Sequence, residues 1–225
     1  MLKLLDKILL GDDVVTNFYH HYQNLEFRNW LVSLLPEVED CRTTNQDNPW
    51  HIYNCLDHIL TAVESVNKQS VDLDINTRRL LAYTMFLHDI GKPQSKIRRY
   101  SKLYNREVDS FFNHNLASVK IGKRVLNNLG FNNADQQIIL KLVEEHDAFI
   151  PLTLDNSVEK HKQLLTKSHL IELVKRLSIN NNGLQMMKYL VMVGRADNLA
   201  QNPVMTEQSL KLVDAVNDML DEFNK

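Results

Sequence analysis

The sequence predicts an all-α protein, on two observations. Apolar side chains recur at intervals of three and four along almost the whole chain, and only six glycines and five prolines punctuate 225 residues, too few for the turns of a many-stranded β protein. Leu, Lys, Asn and Glu are abundant instead. With 44% apolar side chains the chain can bury a substantial core, and its length suits one large domain with a short extension.

The elements follow in order. Leu2, Leu5 and Leu9, then Phe18, Tyr22 and Leu25, predict two short N-terminal helices; Trp30, Leu31, Leu34 and Leu35 form a further segment that Pro36 ends. Residues 37–48 are polar and read as a loop, so residues 1–48 are expected to be a helical extension and 49–225 the main domain. From Pro49, a favourable helix start, Ile52, Leu56, Ile59, Val63 and Val66 trace one long amphipathic helix over 50–68. Further helices are expected over 76–89, 113–129, 133–147, 157–178, 183–200 and 206–223. The gap at 92–112 reads as a charged loop, with Lys92, Lys96, Arg98, Arg99, Lys102 and Arg106 interleaved with Tyr100 and Tyr104. Guanidinium forks and tyrosine faces suit phosphates and bases, although a solvated loop accounts for the same charges equally well.

Charge and composition exclude several classes of function. A net charge of -2 argues against a broadly basic nucleic-acid-binding surface and leaves room only for a local patch. Cys41 and Cys55 form neither a metal-binding nor a disulfide pattern, which fits a reduced, cytoplasmic setting. No apolar stretch approaches the roughly 18 residues of a spanning helix. Asp6 also interrupts the place where a signal peptide has its apolar centre. A soluble, unexported protein with no membrane partner is expected.

The chemistry concentrates at Leu87-His88-Asp89-Ile90-Gly91-Lys92-Pro93. An imidazole and a carboxylate stand side by side where an apolar helix stops, with an ammonium three residues on. A polar pair at the end of a buried helix must be satisfied, and a cation satisfies both members at once. Comparable donors border apolar elements elsewhere: His58, His114, His146 and Asp197. His51 lies seven residues before His58 and would share its helix face. A lone histidine is more often hydrogen-bonded than ligating, and that reading is preferred for His51 and Asp147 taken singly. It also accounts for His20, His21, His161 and His169.

The ordered set His58, His88-Asp89, Asp197, with His114 and His146 between, resembles the HD-domain superfamily of metal-dependent phosphohydrolases. The likeness is closest to the HD domain of bacterial CCA-adding tRNA nucleotidyltransferases. It rests on Trp50-His51-Ile52-Tyr53-Asn54-Cys55-Leu56-Asp57-His58, on the dyad segment, on Phe112-Asn113-His114, and on Arg195-Ala196-Asp197-Asn198-Leu199-Ala200-Gln201, and spans about Pro49 to Gln201. These residues lack the nucleotidyltransferase head, its glycine-serine motif, the Glu-Asp pair of alarmone hydrolases and the Gly-Tyr-Pro motif of cyclic-di-GMP hydrolases.

The resemblance implies an HD helical bundle over 49–225. His58, His88, Asp89 and Asp197 would hold one divalent ion, with Asp89 bridging to a second held by His114 and His146. The mixture of imidazole and carboxylate suits Mn, Fe, Co, Ni, Zn or Mg. Asp89, Lys92 and His51 are the expected catalytic residues, with His51 either donating to the leaving group or bracing the ligands. Arg98, Arg99 and Arg195 are the expected grips on substrate phosphates. The expected activity is phosphomonoester or phosphodiester hydrolysis on a nucleotide or RNA end, a 2′,3′-cyclic phosphate included. Two alternatives are an HD-fold di-iron oxygenase and a non-catalytic nucleotide- or RNA-binding regulatory module. The oligomeric state is open.

Overall fold

The computed structural model describes residues 1–157 and 159–223. The fold is all-α with two small strand pairs. Its elements are α1 (Leu2–Leu9), α2 (Val14–Tyr22), α3 (Leu25–Leu34), α4 (Glu37–Thr43), α5 (Cys55–Gln69), α6 (Ile75–Leu87), α7 (Lys92–Ser95), β1 (Lys96–Ser101), β2 (Arg106–Phe111), α8 (His114–Asn128), α9 (Asn133–Glu145), β3 (Leu152–Thr153), β4 (Gln163–Leu164), α10 (Lys167–Leu177), α11 (Gly183–Leu199) and α12 (Pro203–Phe223). None of the described helices is long and apolar enough to cross a membrane.

Helix α6 is the axis of the core. Every residue from Leu80 to Leu87 is buried, the pattern of a helix surrounded on all sides. Helices α5, α9 and α11 pack around it, and one continuous cluster of buried side chains runs from Leu5 on α1 to Leu220 on α12. The N-terminal helices belong to that cluster and are pinned by polar contacts. Asn67 donates from Nδ2 to the Leu9 and Gly11 carbonyls, Asp6 receives Arg79 and the Tyr83 hydroxyl, and Tyr19 donates to Asp57. Helix starts are set locally: Asn54, Asp74 and Asn132 accept backbone N–H groups in the first turns of α5, α6 and α9.

Four expectations need correction. Residues 37–48 are not all loop, because Glu37–Thr43 forms α4. Three carboxylates in its first turn complement the positive end of the helix dipole, and only Val38 and Cys41 mark its buried face. The helix expected over 50–68 begins at Cys55, where the Asn54 side chain caps the Asp57 N–H; His51 therefore lies before it, in a turn. Residues 92–112 hold one short helix and an antiparallel hairpin in which Arg98 faces Asp109 and Arg99 faces Val108. Asn105, at φ 49, supplies the left-handed residue its turn requires. Among the described residues, which leave out 158, the helix expected over 157–178 is restricted to Lys167–Leu177, started by the Thr166 cap, and follows a two-residue parallel pairing of β3 with β4. The helices expected over 113–129, 133–147 and 183–200 lie within two residues of α8, α9 and α11.

Gly91 determines how closely α8 approaches the end of α6. A Cβ there would sit 2.5 Å from the His114 carbonyl oxygen and the Ser118 amide nitrogen, both backbone, and 2.7 Å from the Ala117 Cβ. The Gly91 N–H also donates to Ser118 Oγ at 2.9 Å. Gly91→Ala is expected to destabilise the protein by about 2–3 kcal/mol, because backbone of α8 must shift to admit the methyl. Urea denaturation measures this; an unchanged midpoint would show that α8 has slack.

Candidate metal centre

Four helix ends converge on one point. His88 is the C-cap of α6 and His146 the C-cap of α9, while His114 opens α8 and His58 lies in the first turns of α5. In each imidazole Nδ1 faces a backbone carbonyl. The partners are Ala200 O for His58 at 3.1 Å, Met85 O for His88 at 2.6 Å, Phe111 O for His114 at 2.7 Å and Val143 O for His146 at 2.7 Å. A carbonyl only accepts, so Nδ1 carries the proton and the Nε2 lone pair of all four rings is free to face inward.

The inward-facing atoms form two sets that share one carboxylate. In the first, His58 Nε2 lies 3.2 Å from His88 Nε2, 2.9 Å from Asp89 Oδ2 and 3.0 Å from Asp197 Oδ1. In the second, His114 Nε2 lies 3.1 Å from His146 Nε2 and 3.0 Å from Asp89 Oδ1. Both Asp89 oxygens and Asp197 Oδ1 are buried, yet none accepts a hydrogen bond of good geometry, and the Lys92 ammonium meets Asp89 Oδ2 as an ion pair. Lone pairs meeting at about 3 Å repel unless a cation lies between them. Ligands about 2.1 Å from a metal stand about 3.0–3.4 Å apart in octahedral or tetrahedral geometry, the spacing seen here. Both sets therefore fit a divalent ion.

Protons compete for the same lone pairs. Burial disfavours an imidazolium at His58, but the Asp197 and Asp89 carboxylates outweigh it and push the pKa up to about 9. At His88 burial is likewise outweighed, chiefly by the charge of Asp89, and the pKa is again about 9. His146 is raised too, with Asp147 and Asp89 overcoming burial. Burial opposes the carboxylate at both Asp89 and Asp197, yet the cationic groups around them hold both well below the usual range.

Lys92 and His51 flank the first set. Lys92 is buried, and its ammonium lies 2.6 Å from Asp89 Oδ2, 2.9 Å from Gln46 Oε1 and 3.0 Å from His51 Nε2. His51 Nδ1 faces Asn48 Oδ1 at 2.8 Å, so Nε2 accepts from Lys92. Burial and the Lys92 charge depress the His51 pKa to about 2, which keeps the ring neutral. Asp197 is oriented by Gln201, whose Nε2 donates to Oδ2 at 3.1 Å.

A cavity of about 720 Å³ opens over these groups and is walled by Trp50, Tyr104, Phe112 and Phe149. Arg99 lines it and stacks over the Phe112 ring at 4.8 Å. Arg98 and Arg195 are not among its lining residues: Arg98 pairs with Asp47 and Asp109, and Arg195 with Asp214. Gln46 and Asn48 carry no sequence signal of their own for this site, while Gln201 closes the Arg195–Gln201 motif without a role assigned to it there. Asp147 does, because His146-Asp147 repeats the His88-Asp89 pair.

Residues 55–201 match the HD domain family. This chain belongs to the HD-domain family. The match supports the superfamily of metal-dependent phosphohydrolases, and the two donor sets lie within the matched span. The HD chain is also 27% identical over 130 residues to a bifunctional uridylyltransferase/uridylyl-removing enzyme of Bradyrhizobium sp. (strain ORS 278). It is 25% identical over 130 residues to the enzyme of the same name from Bradyrhizobium sp. (strain BTAi1 / ATCC BAA-1182). Each match covers 58% of this HD chain and 10% of the relative, so the chain spans about a tenth of the length of these relatives.

Proton competition has a measurable sign. Below about 9, His58 and His88 hold protons that a divalent ion must displace, so binding near neutral pH releases protons and apparent affinity rises with pH until about 9. Calorimetric titration in two buffers of different ionisation enthalpy counts the released protons. Affinity independent of pH between neutrality and about 9 contradicts this.

Proposed function

We propose that this HD protein is a phosphohydrolase, cleaving a phosphomonoester or phosphodiester of a nucleotide or RNA end, a 2′,3′-cyclic phosphate included. The observation that carries the reading is the division of one buried carboxylate: Asp89 directs Oδ2 to His58 and His88, and Oδ1 to His114. His58, His88, Asp89 and Asp197 would hold one divalent ion, and Asp89, His114 and His146 a second. The donor set accommodates Mn, Fe, Co, Ni, Zn or Mg. Paired ions in such a site supply a water of lowered pKa and neutralise phosphoryl oxygens.

The chain's own groups do the rest. Lys92 keeps a positive charge on the cavity floor at 2.6 Å from Asp89, where it offsets charge that develops on phosphoryl oxygens. Of the two roles expected for His51, bracing is the one its hydrogen bonds support, since its Nδ1 proton goes to Asn48 and its Nε2 lone pair to Lys92. Arg99, Tyr104 and Phe112 line the cavity; Arg99 would grip a phosphate from its wall, and the two rings would stack a base. Arg98 and Arg195, expected in the same role, are held by neighbouring carboxylates. A nucleotidyl substrate is supported by the name of the relatives, since removing a uridylyl group is cleavage of a nucleotidyl phosphoester. The motif likeness to CCA-adding enzymes supports an RNA end.

Metal analysis of the purified protein, followed by a hydrolysis screen of mono-, di-, tri- and cyclic nucleotides and short RNAs with each added ion, tests the proposal. Metal-dependent product release is expected; if no phosphoester is cleaved with any ion, the proposal fails. Oxygen uptake with an iron-dependent visible spectrum would instead favour the di-iron oxygenase.

Two substitutions separate the roles. Asp89→Asn is expected to lose bound metal and to lower kcat/KM on the order of 10³-fold or more, because it removes half of the first donor set's negative charge and all of the second's. Lys92→Met is expected to keep its metal and to lower kcat about 10²-fold. Steady-state kinetics beside metal content distinguishes them, and loss of metal from the Lys92 variant would show that its role is structural.

A further inference from the structure

His146 and Asp147 repeat, at the end of α9, the arrangement of His88 and Asp89 at the end of α6. Both histidines are helical C-caps, with φ, ψ of -58°, -39° and -57°, -29°. Both direct Nδ1 to the carbonyl three residues back, at 2.6 and 2.7 Å. In both pairs the next residue returns its carboxylate toward its own imidazole, Asp89 Oδ2 at 3.2 Å from His88 Nε2 and Asp147 Oδ1 at 3.5 Å from His146 Nε2. Asp147 Oδ2 also lies 3.4 Å from His114 Nε2.

The two donor sets are unequal without this residue. The first has two imidazoles, the shared Asp89 and a terminal carboxylate, Asp197, at 3.0 and 3.5 Å from the two Nε2 atoms. The second has two imidazoles and Asp89 alone. Asp147 stands in the corresponding terminal place, at nearly the same distances, and no lysine or arginine pairs with it among the described residues. We propose that Asp147 is the terminal carboxylate ligand of a second cation site formed with Asp89, His114 and His146.

Charge supports the assignment. Two divalent ions and Lys92 bring five positive charges, against which Asp89 and Asp197 supply two, and a third carboxylate lowers the excess that substrate must balance. Exposure sets the two sites apart. The Asp197 side chain is 11% exposed and that of Asp147 33%, so the second site faces the cavity and water. Its ion should bind more weakly and exchange faster than the first.

The inference rests on the metal-centre reading, but its test does not depend on turnover. Equilibrium dialysis against Mn²⁺ with metal analysis, alongside the EPR signature of a spin-coupled pair, is run on the wild-type protein, Asp147→Asn and Asp147→Glu. The wild type is expected to take two ions with unequal affinity. Asp147→Asn should keep the tight ion unchanged and weaken the other at least about tenfold, with loss of the coupled signal. Asp147→Glu, which retains a carboxylate, should recover it, and circular dichroism verifies that each variant is folded. A wild type that holds one ion, or an Asp147→Asn protein that binds both as the wild type does, overturns the assignment. Loss of one ion in Asp147→Asn when the wild type cleaves no phosphoester would leave the ligand standing and remove the phosphohydrolase reading.

Discussion

Burial of the Asp89 carboxylate, whose two oxygens face only the Lys92 ammonium and a ring of imidazoles, is the constraint on which the rest of this structure depends. An isolated buried carboxylate costs several kcal/mol or more unless positive charge lies beside it. Here Lys92 supplies part of that charge, and the four surrounding imidazoles offer either protons or lone pairs for a cation. The HD fold brings these compensating groups from five separate helix ends.

Helix α6 makes the burial unavoidable. Its apolar residues are enclosed on every side, so whatever follows Leu87 is delivered to the middle of the protein. The histidines are fixed from behind by backbone carbonyls, which are the least mobile acceptors a fold offers. Three of these bonds span only three residues and come with the helix ends themselves. The fourth, from His58 to Ala200, joins α5 to the end of α11 and makes the first donor set depend on the assembled bundle.

The hairpin and the segment before α5 form the outer side of the same design. Asp109 is buried and receives Lys96, Arg98 and the Asp47 N–H, which ties β1 and β2 to residues 46–48. Those residues carry the Gln46 and Asn48 side chains that hold Lys92 and His51. Charges that read as a phosphate-binding loop thus divide: Arg98 and Lys96 hold the hairpin in place, while Arg99 faces the cavity.

Much of the helical bundle and all six principal donors were legible in the sequence, because apolar periodicity and residue type are local properties. His58, His88, Asp89, His114, His146 and Asp197 each border an apolar element, and packing those elements brings the donors together. Local signal was weakest where packing overrode it. Helix α4 has only two buried side chains, the hairpin's alternation is masked by arginines, and the β3–β4 pairing is too short to leave a pattern. His51 was expected on a helix and lies in a turn, yet it still comes to the Lys92 ammonium, because Asn48 and Lys92 position it across 41 residues. The sequence by itself determined which chemical groups stand at the helix ends. Only the tertiary structure decided which nitrogen of each imidazole faces inward and that Asp89 divides its oxygens between two sets, since both depend on carbonyls and helices that come together only when the core closes.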